Sequence, residues 1–475
     1  MSLTTYHSKL QEHAIFKRFN ERWVADPDFR KALNEDKAGT LAGYGINCSP
    51  ADVQSLFEAD VSQPSKAMRA MWQIVVTKTN WVNEFYKKQA LPSDLRIYSW
   101  RERQIARQLL ELGPFHTKSN LHASLSIELT KGCSVGCWFC ALSPDRLSGI
   151  FEYSTANQVL WNDVLLVLHQ YLGTGVQSGF LYWATDPLDN PDYEKLCLDF
   201  YKITGVFPPT TTAQALKDPA RTRALLKISQ ERGCWLNRFS ILSIKMLNQV
   251  HAEFSAEELA QVECLSLNRE SAFAFGNAGK FRERANKEPE LLQKQRKNLL
   301  WAPWYTGDPA YANTEEYPLA SIGCVTGFLL NMCDRTVQLI SPAAASDRWP
   351  LGYYIHAQGT FNDGAELAAL LNRMIEEHMS PFLRPSDRLC FHNWLQFEEL
   401  ETGFRLNGRF HQSTTFQGQE RHSQWREIGD LVHRGGKTVA EISEIVSVKC
   451  NVNPEVVQSM LNELLRAGVL DEINN

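Results

Sequence analysis

The chain has 475 residues, of which 44% are hydrophobic and 22% are charged, so it can bury the cores of about three globular domains. Its formal net charge of −5 gives no general attraction to nucleic acid or to an anionic membrane. Eleven cysteines, an odd number spread over a long chain, are not typical of a disulfide framework and favour a reducing cytoplasm. Since the sequence lacks a signal-peptide core and any run of ~20 apolar residues, we expect a cytoplasmic protein with no membrane partner.

Residues 1–120 predict a helical N-terminal region. Asp26-Pro27 and Ser49-Pro50 each place an N-cap residue before a first-turn proline, which is typical of a helix start. The order of these signals over residues 16–57 resembles the nitrile-hydratase-like leader segments in precursors of some ribosomally made peptides. The resemblance implies that this segment binds, or imitates, a substrate leader. The alternative is a small helical cap on the following domain.

Three cysteines follow the first predicted strand of the second domain, residues 121–345. Residues 124–130 alternate apolar and polar side chains, which predicts a strand, and the cysteines after it have C-x3-C-x2-C spacing. Thiolates are the usual ligands of iron–sulfur clusters, and ordinary [4Fe–4S] clusters take four of them. Three nearby cysteines would leave one iron open to a ligand that is not protein. A structural zinc site, which usually has four ligands in two pairs, and three unrelated cysteines are the alternatives.

This run, with Phe139 before the third cysteine, resembles the cluster loop of the radical S-adenosylmethionine (SAM) superfamily. The resemblance implies a [4Fe–4S] cluster held by Cys133, Cys137 and Cys140, with S-adenosyl-L-methionine on the open iron and Phe139 beside the cofactor. In that superfamily the reduced cluster cleaves SAM to a 5′-deoxyadenosyl radical. The implied fold is an α/β partial (β/α)6 barrel. Strand-like and helical stretches alternate from 124 to about 340, which favours parallel βα units.

The end of a second predicted strand, residues 179–183, supplies candidate contacts for SAM. Ala184, Thr185 and Asp186 stand where the superfamily has a G-G-E-P motif that receives the ammonium group of SAM. The two glycines and the glutamate of that motif are replaced here. An acidic acceptor is nevertheless retained in Asp186.

Two further strand ends resemble SAM-binding segments. A third predicted strand ends at Thr212, and a fourth, residues 237–242, is similar to the R-x-S segment of the superfamily. Arg238 offers a forked donor suited to the carboxylate of SAM, and Ser240 would add a second hydrogen bond. A surface ion pair is the alternative role for Arg238.

Residues 323–342 predict a turn followed by an apolar hairpin or strand pair. Cys324-x-x-Gly327 is similar to the opening of extensions that hold auxiliary clusters. Those extensions supply several more cysteines, whereas the next one after Cys333 is Cys390, so we expect no auxiliary cluster. Each thiol is then either a small core residue or a hydrogen-atom donor to a carbon radical. We favour Cys333 as the donor, with Cys324 second.

The C-terminal part divides into residues 346–420, a bridging or substrate-covering region, and residues 421–475. The latter predict three helices and a short strand, as in a winged helix or a small peptide-recognition module. From Arg426 to Asn475 there are five Lys or Arg against eight Asp or Glu, which does not favour a DNA reader. Leader-peptide binding is the preferred role. A structural cap and DNA binding are the alternatives.

Together these segments resemble the radical SAM peptide epimerases that mature proteusin-type ribosomal peptides. The resemblance implies an isomerase that converts L- to D-residues in a precursor peptide with a leader segment. It also implies an electron donor of the flavodoxin or ferredoxin type and no nucleic-acid partner. One alternative is a radical SAM peptide cyclase or thioether-forming enzyme. An iron–sulfur DNA-binding regulator is the alternative from another class.

Overall fold

The first part of the chain is helical, as the sequence predicts. The computed structural model describes residues 3–56, 65–234, 236–273, 275–294, 323–418 and 424–472. Two predicted N-caps are confirmed, because Asp26 accepts hydrogen bonds from the next turn and Ser49 forms a capping box with Asp52. Residue 57, the end of the leader-like segment, lies outside the described residues. The helices are α1 (Leu3–Glu12), α2 (Ala14–Ala25), α3 (Pro27–Glu35), α4 (Lys37–Gly43), α5 (Pro50–Val53), α6 (Lys66–Glu84) and α7 (Leu95–Ser119).

The predicted alternation of strands and helices is confirmed in the middle of the chain, which gives a mixed α/β structure. Strands β4, β5 and β6 form a parallel sheet in that order, and β2 pairs with β3 as a short antiparallel ribbon. The barrel itself stays a prediction, and residues 295–322 of the predicted domain lie outside the described ranges. The elements are β1 (Ala123–Glu128), β2 (Thr130–Lys131), β3 (Gly149–Ile150), α8 (Thr155–Leu172), α9 (Tyr193–Thr204), β4 (Thr211–Thr212), α10 (Pro219–Glu231), β5 (Asn237–Ile241), α11 (Ile244–Glu253), β6 (Val262–Ser266) and α12 (Gly279–Lys287).

The prediction of a full strand at 179–183 is wrong, since within the described part of the chain this segment forms a single parallel bridge, between Ser126 and Phe180. The amide of Ile127 donates to the carbonyl of Phe180 at 3.0 Å. Beyond that point the Ser126 hydroxyl, not a backbone amide, donates to the carbonyl of Tyr182 at 2.7 Å. Beyond Phe180 the segment is therefore bonded to β1 by the Ser126 side chain and not by a backbone ladder. Its backbone then turns at residues 184–189.

A second sheet, in the order β1-β7-β8-β9, continues the structure. Its strands are β7 (Val325–Asn331), β8 (Thr336–Pro342) and β9 (Tyr353–Thr360), and they are followed by α13 (Gly364–His378). Strand β7 is parallel to β1 and antiparallel to β8, so the predicted hairpin at 323–342 is confirmed. Because β9 pairs with β8, this sheet runs past the predicted domain boundary at residue 345.

The main core lies between this second sheet and helices α8, α9 and α13. Leu125 and Ile127 of β1 and Phe328 of β7 are fully buried there against Trp161 and Leu371. On β1 the serines at 124 and 126 alternate with these residues and face the other side of the sheet. The cysteine loop and its neighbours lie at the ends of these strands.

The C-terminal part packs on α7. Arg103 of α7, 4% exposed, donates to both carboxylate oxygens of Glu472 at 2.8 and 2.9 Å, and Leu110 belongs to the C-terminal core. The capping box of Thr438 and Glu441 is confirmed, and the predicted strand at 468–470 is a single bridge. The elements are β10 (Arg388–Leu389), β11 (Gln396–Leu400), β12 (Gly403–Asn407), β13 (Ser413–Gln417), α14 (Gln424–Arg434), β14 (Lys437–Thr438), α15 (Val439–Cys450) and α16 (Pro454–Arg466).

Within the described ranges, no helix has both the length and the apolar content needed to cross a bilayer. Residues 421–423 and 473–475 of the predicted C-terminal module lie outside those ranges.

Candidate functional site

The three cysteines lie on a loop that leaves the carboxyl end of β1 and is closed at its base by β2 and β3. The amide of Cys133 donates to the carbonyl of Asp145 at 3.0 Å, and the amide of Ser148 donates to the carbonyl of Lys131 at 2.9 Å. Gly132 has a φ of +79°, and a Cβ there would lie 2.4 Å from the carbonyl oxygen of Arg146. The base of the loop therefore requires glycine, both for its backbone conformation and for its close contact.

Asp189 anchors the loop to the neighbouring strand ends. Its carboxylate accepts from the amide of Ser134 at 2.9 Å, from the Ser134 hydroxyl at 2.6 Å and from the Gln214 side-chain amide at 2.7 Å. The side chain is 6% exposed, so these bonds offset the cost of burying a charge. Asp189 was not among the predicted site residues. Its position three residues after Asp186, in the same acidic turn, was the available signal.

The other end of the loop rests on the start of α12. The amide of Lys280 donates to the carbonyl of Cys140 at 3.0 Å and to the Ser143 hydroxyl at 2.7 Å. Phe139 lies beside this contact with its ring centroid 4.7 Å from that of Phe275. The loop is thus held at both ends, and Phe139 is part of the apolar support on one side.

Burial disfavours ionisation of two of the three thiols. It raises the pKa of Cys133, and it raises the pKa of Cys137 to about 12, with further contributions from the neighbouring Cys140 and Cys133. Cysteine binds metal as thiolate, so a cationic group is needed to draw the protons off. A metal group bound at this loop would supply that positive charge.

The donor set of the loop decides which metal groups it could hold. Among the described residues, the set of three potential ligands with all donor atoms within 4.8 Å is Glu21, His251 and Cys264, which does not include the loop cysteines. Structural zinc usually takes four protein ligands, whereas the loop offers three thiols. Thiolates are the usual ligands of iron–sulfur clusters, so the three residues fit a cluster whose remaining ligand is not protein.

Carboxylates organise the turn after residue 183. Asp186, 4% exposed, accepts from the Thr212 hydroxyl at 2.7 Å and from the amide of Ala213 at 2.7 Å. Glu128, at the end of β1, accepts from the amide of Ala184 at 2.8 Å. Burial raises the pKa of both carboxyls above their ordinary values, although these hydrogen bonds oppose it.

The structure brings Asp186 and Thr212 into contact, and Ala184 and the half-buried Thr185 immediately precede Asp186 along the chain. Their role toward SAM stays a prediction. Glu128 was missed by the sequence analysis. Its only signal was a single acidic residue at the end of a strand whose other polar side chains are serines.

Arg238 lies on β5 in an ion pair with the adjacent strand. Its Nε is 3.1 Å from Glu263 of β6, which also contacts Lys78 of α6. Burial opposes ionisation of Glu263, but Lys78 and Arg238 outweigh it and hold the pKa of that carboxyl at about 2. Ser240 lies two residues farther along β5 on the same face. The guanidinium thus has a partly buried carboxylate partner in this structure, and its role toward SAM stays a prediction.

The two candidate donor thiols lie at opposite ends of β7. Cys324 precedes the strand, and its carbonyl accepts from the amide of Ala123 at the start of β1. Cys333 follows the strand, and its Sγ lies 3.9 Å from the carbonyl of Leu129, where the chain leaves β1 toward the cysteine loop. Burial, with Asp334 and Glu128 nearby, raises the pKa of Cys333 to about 11, so it is a neutral thiol at neutral pH.

The loop between β8 and β9, residues 343–352, reaches the cysteine loop. Ala345 packs in a small apolar cluster with Ala141, next to Cys140. At the start of β9, the ring of Tyr353 lies 5.8 Å from that of Trp183, just before the turn at 184–189. The hairpin β8–β9 therefore covers part of the site.

Comparison with known proteins gives one strong relationship. No protein-family model matches the chain. The uncharacterized protein y4wI of Sinorhizobium fredii is 34% identical over 468 residues, which cover 96% of this chain and 86% of that protein. Among solved structures, BtrN in complex with AdoMet and 2-DOIA aligns with 31% of this chain and 56% of its own, at 13% identity and a TM-score of 0.23. A score that low does not establish a shared fold.

Proposed function

The chain belongs to the same family as the uncharacterized protein y4wI, and we propose that it is a radical SAM enzyme that converts L- to D-residues in a ribosomally synthesised precursor peptide. The observation that carries the enzyme class is the cysteine loop at the carboxyl end of β1. Parallel α/β sheets present their reactive groups at that edge. The loop holds Cys133, Cys137 and Cys140 as three cluster ligands, with no fourth cysteine in residues 132–148.

In this proposal the bound cluster and SAM supply a 5′-deoxyadenosyl radical. The chain positions these groups through its strand ends. Asp186 and the backbone around Ala184 face the ammonium group of SAM, and Arg238 with Ser240 faces the carboxylate. Asp189 keeps the loop in place through Ser134. The half-buried thiols and the apolar side chains around them exclude water from the reacting groups.

Inversion at the α-carbon then needs one hydrogen removed and one returned. The bound cluster and SAM would supply the radical chemistry that removes the α-hydrogen of an L-residue. Cys333 returns a hydrogen atom from its S–H bond to the other face, which leaves a D-residue and a sulfur radical. One electron and one proton restore that thiol, and a flavodoxin- or ferredoxin-type donor supplies the electron. Cys333 is favoured over Cys324 because it lies at the end of β7 next to the cysteine loop.

The substrate side of the proposal rests on the two ends of the chain. The leader-like segment at 16–57 and the acidic module at 421–475 are the proposed contacts for the leader of the precursor peptide. The acidic balance of the module also favours a peptide over nucleic acid as its partner.

The test uses the reconstituted protein with SAM, reductant and a candidate precursor peptide in D2O. Release of 5′-deoxyadenosine would establish the radical SAM class independently of the substrate. We expect a gain of about one mass unit for each modified residue, because the exchanged thiol returns deuterium, and we expect a D-residue by chiral analysis. Both should disappear in Cys333→Ala.

Other outcomes separate the parts of the proposal. If deuterium gain survives in Cys333→Ala but is lost in Cys324→Ala, epimerisation holds and the donor is Cys324. A loss of two mass units without deuterium gain would refute epimerisation and indicate cross-linking. A reconstituted protein that holds iron but never releases 5′-deoxyadenosine would refute the radical SAM class.

A further inference from the structure

Asn331, the last residue of β7, lies between the thiol proposed as hydrogen donor and the carboxylate at the end of β1. The two strands end together, because Asn331 pairs with Glu128 and the amide of Met332 donates to the carbonyl of Glu128 at 3.0 Å. Residues 332–335 then form the turn that leads into β8. Cys333 therefore lies in a turn, beyond the last backbone bond between β7 and β1.

The carboxamide oxygen of Asn331 caps this turn. Oδ1 accepts from the amide of Cys333 at 2.9 Å and from the amide of Asp334 at 3.1 Å. Asparagine, aspartate and serine side chains commonly accept from amides a few residues ahead, so the cap alone requires only an acceptor.

The carboxamide nitrogen of Asn331 makes contacts that the turn itself does not need. Nδ2 donates to one carboxylate oxygen of Glu128 at 3.0 Å and to the carbonyl of Thr130 at 3.2 Å. The other carboxylate oxygen of Glu128 accepts from the amide of Ala184 at 2.8 Å. Two side chains thus connect the turn that carries Cys333 to the turn proposed to receive SAM.

The surroundings of the thiol place it at the base of the cysteine loop. Sγ of Cys333 lies 3.9 Å from the carbonyl of Leu129, and a Cβ placed on Gly149, in the ribbon that closes the loop, would also lie 3.9 Å from it. The turn has one ion pair, between Lys131 and Asp334, but both side chains are exposed, so the pair contributes little to its position.

We propose that Asn331 is a positioning residue that holds the thiol of Cys333 in register with the turn at 184–189 through Glu128. The inference rests on the proposed function, in which hydrogen is removed from one face of an α-carbon and returned to the other. Both steps act on the same atom, so the thiol must keep a fixed distance from the groups that remove hydrogen. A misplacement of about 1 Å can cost about 10²-fold in rate.

Two substitutions separate the contact with Glu128 from the cap. Asn331→Ser keeps an acceptor for the turn but is too short to reach Glu128, and Asn331→Asp keeps the acceptor but turns an oxygen toward that carboxylate. In the protein without SAM or peptide, we expect hydrogen exchange over residues 331–336 to be about threefold faster in both variants. Asn162→Ser, at an exposed position of α8, is the matched control.

The reconstituted protein with precursor peptide gives the second measurement, the amount of 5′-deoxyadenosine released for each D-residue formed. We expect this ratio to rise about threefold or more in Asn331→Ser and Asn331→Asp, because hydrogen return slows while hydrogen removal continues. A general loss of folded protein would lower both products together and leave the ratio unchanged. Asn162→Ser should keep the ratio of the parent protein.

A polarity exchange tests whether Asn331 acts through Glu128. Glu128→Gln alone should raise the ratio, since its amide N–H2 would face either Asn331 or the amide of Ala184. Combined with Asn331→Asp, the new amide can donate to the new carboxylate while its oxygen still accepts from Ala184. We expect the ratio of the double variant to return more than half of the way to that of the parent protein.

Thermal unfolding of each variant shows whether it is folded, and if Asn331→Asp does not fold, Asn331→Ser decides the question. Hydrogen exchange or a product ratio equal to that of Asn162→Ser would overturn the inference and leave epimerisation intact. A double variant no better than Asn331→Asp would also overturn it, as would D-residue formation by Cys333→Ala. A reconstituted protein that releases no 5′-deoxyadenosine would refute the proposed function, and this inference with it.

Discussion

Asp189 connects the cysteine loop to the strand ends through one buried carboxylate, and a neutral side chain cannot satisfy the same donors. In Asp189→Asn the new amide N–H2 would face the amide or hydroxyl of Ser134. Partners behind a metal ligand typically contribute a factor of about 10–100 to metal affinity, so we expect iron retention to fall by that order. The measurement is the rate at which a chelator removes iron from the reconstituted protein.

The control for this change is Asp163→Asn, at an exposed position on α8. It removes the same charge from the chain without touching the loop. Equal iron retention in both variants would show that Asp189 does not hold the loop in place.

Tyr153 gives a prediction on pH. Burial and the hydrogen bond of 2.5 Å to Asp199 raise its pKa from 10.0 to about 12. The unfolded chain begins to lose this proton near pH 10, whereas the folded chain keeps it, so the contribution of Tyr153 to stability falls between about pH 10 and 12. Tyr153→Phe should cost about 0.5–1.5 kcal/mol at neutral pH, and the difference from the parent protein should shrink as pH rises through that window.

Denaturant unfolding at a series of pH values measures this difference. Tyr98→Phe, at a more exposed tyrosine, is the control for the loss of a tyrosine hydroxyl. A Tyr153→Phe cost that stays constant up to pH 12 would contradict the assignment.

At the scale of elements, the cysteine loop depends on two glycines in different ways. Gly132 has a positive φ and a carbonyl 2.4 Å from where a Cβ would lie, whereas Gly136 has a φ of +66° with no heavy atom within 4 Å of that position. Gly136→Ala should cost about 1–2 kcal/mol, the usual cost of a left-handed alanine. Gly132→Ala should cost more and should open the β2–β3 ribbon. Chemical denaturation together with iron content after reconstitution separates the two, and equal losses would contradict the close contact.

The elements also show what the sequence can predict. Caps at Asp26, Ser49 and Thr438 are local, because the capping side chain and its amide partners lie within three residues. The strand at 179–183 was predicted from its apolar run, but its pairing depends on Ser126 of another strand.

Among the candidate site residues, too, local features could be predicted and contacts between distant residues could not. The cysteines share one short motif, so their candidate role was predicted from spacing alone. Glu128 and Asp189 act on amides at residues 184 and 134, which are 56 and 55 residues away along the chain. No local pattern encodes such distant partners.

In the whole molecule, α7 connects the sheet to the C-terminal part. Arg107 of α7 donates to the carbonyl of Pro342, and Arg103 pairs with Glu472 and donates to the carbonyls of His378 and Ser380. Glu472→Gln would leave Arg103 buried without its counter-charge, at a cost of about 1.5–3 kcal/mol. We expect faster hydrogen exchange in α16, measured against Glu463→Gln, an exposed control on the same helix. Unchanged exchange would show that the C-terminal part is held by its apolar contacts alone.

The position of α7 limits how this protein can be recombined. One side of the helix presents Arg103 and Leu110 to the C-terminal part, and another presents Arg107 to the end of β8. Suppose that the C-terminal part of a relative replaced residues 380–472. It would have to pack on α7 of this chain, a helix that lies some 300 residues earlier in the sequence. Chimeras should therefore fold only when α7 and residues 380–472 are taken together from the same protein.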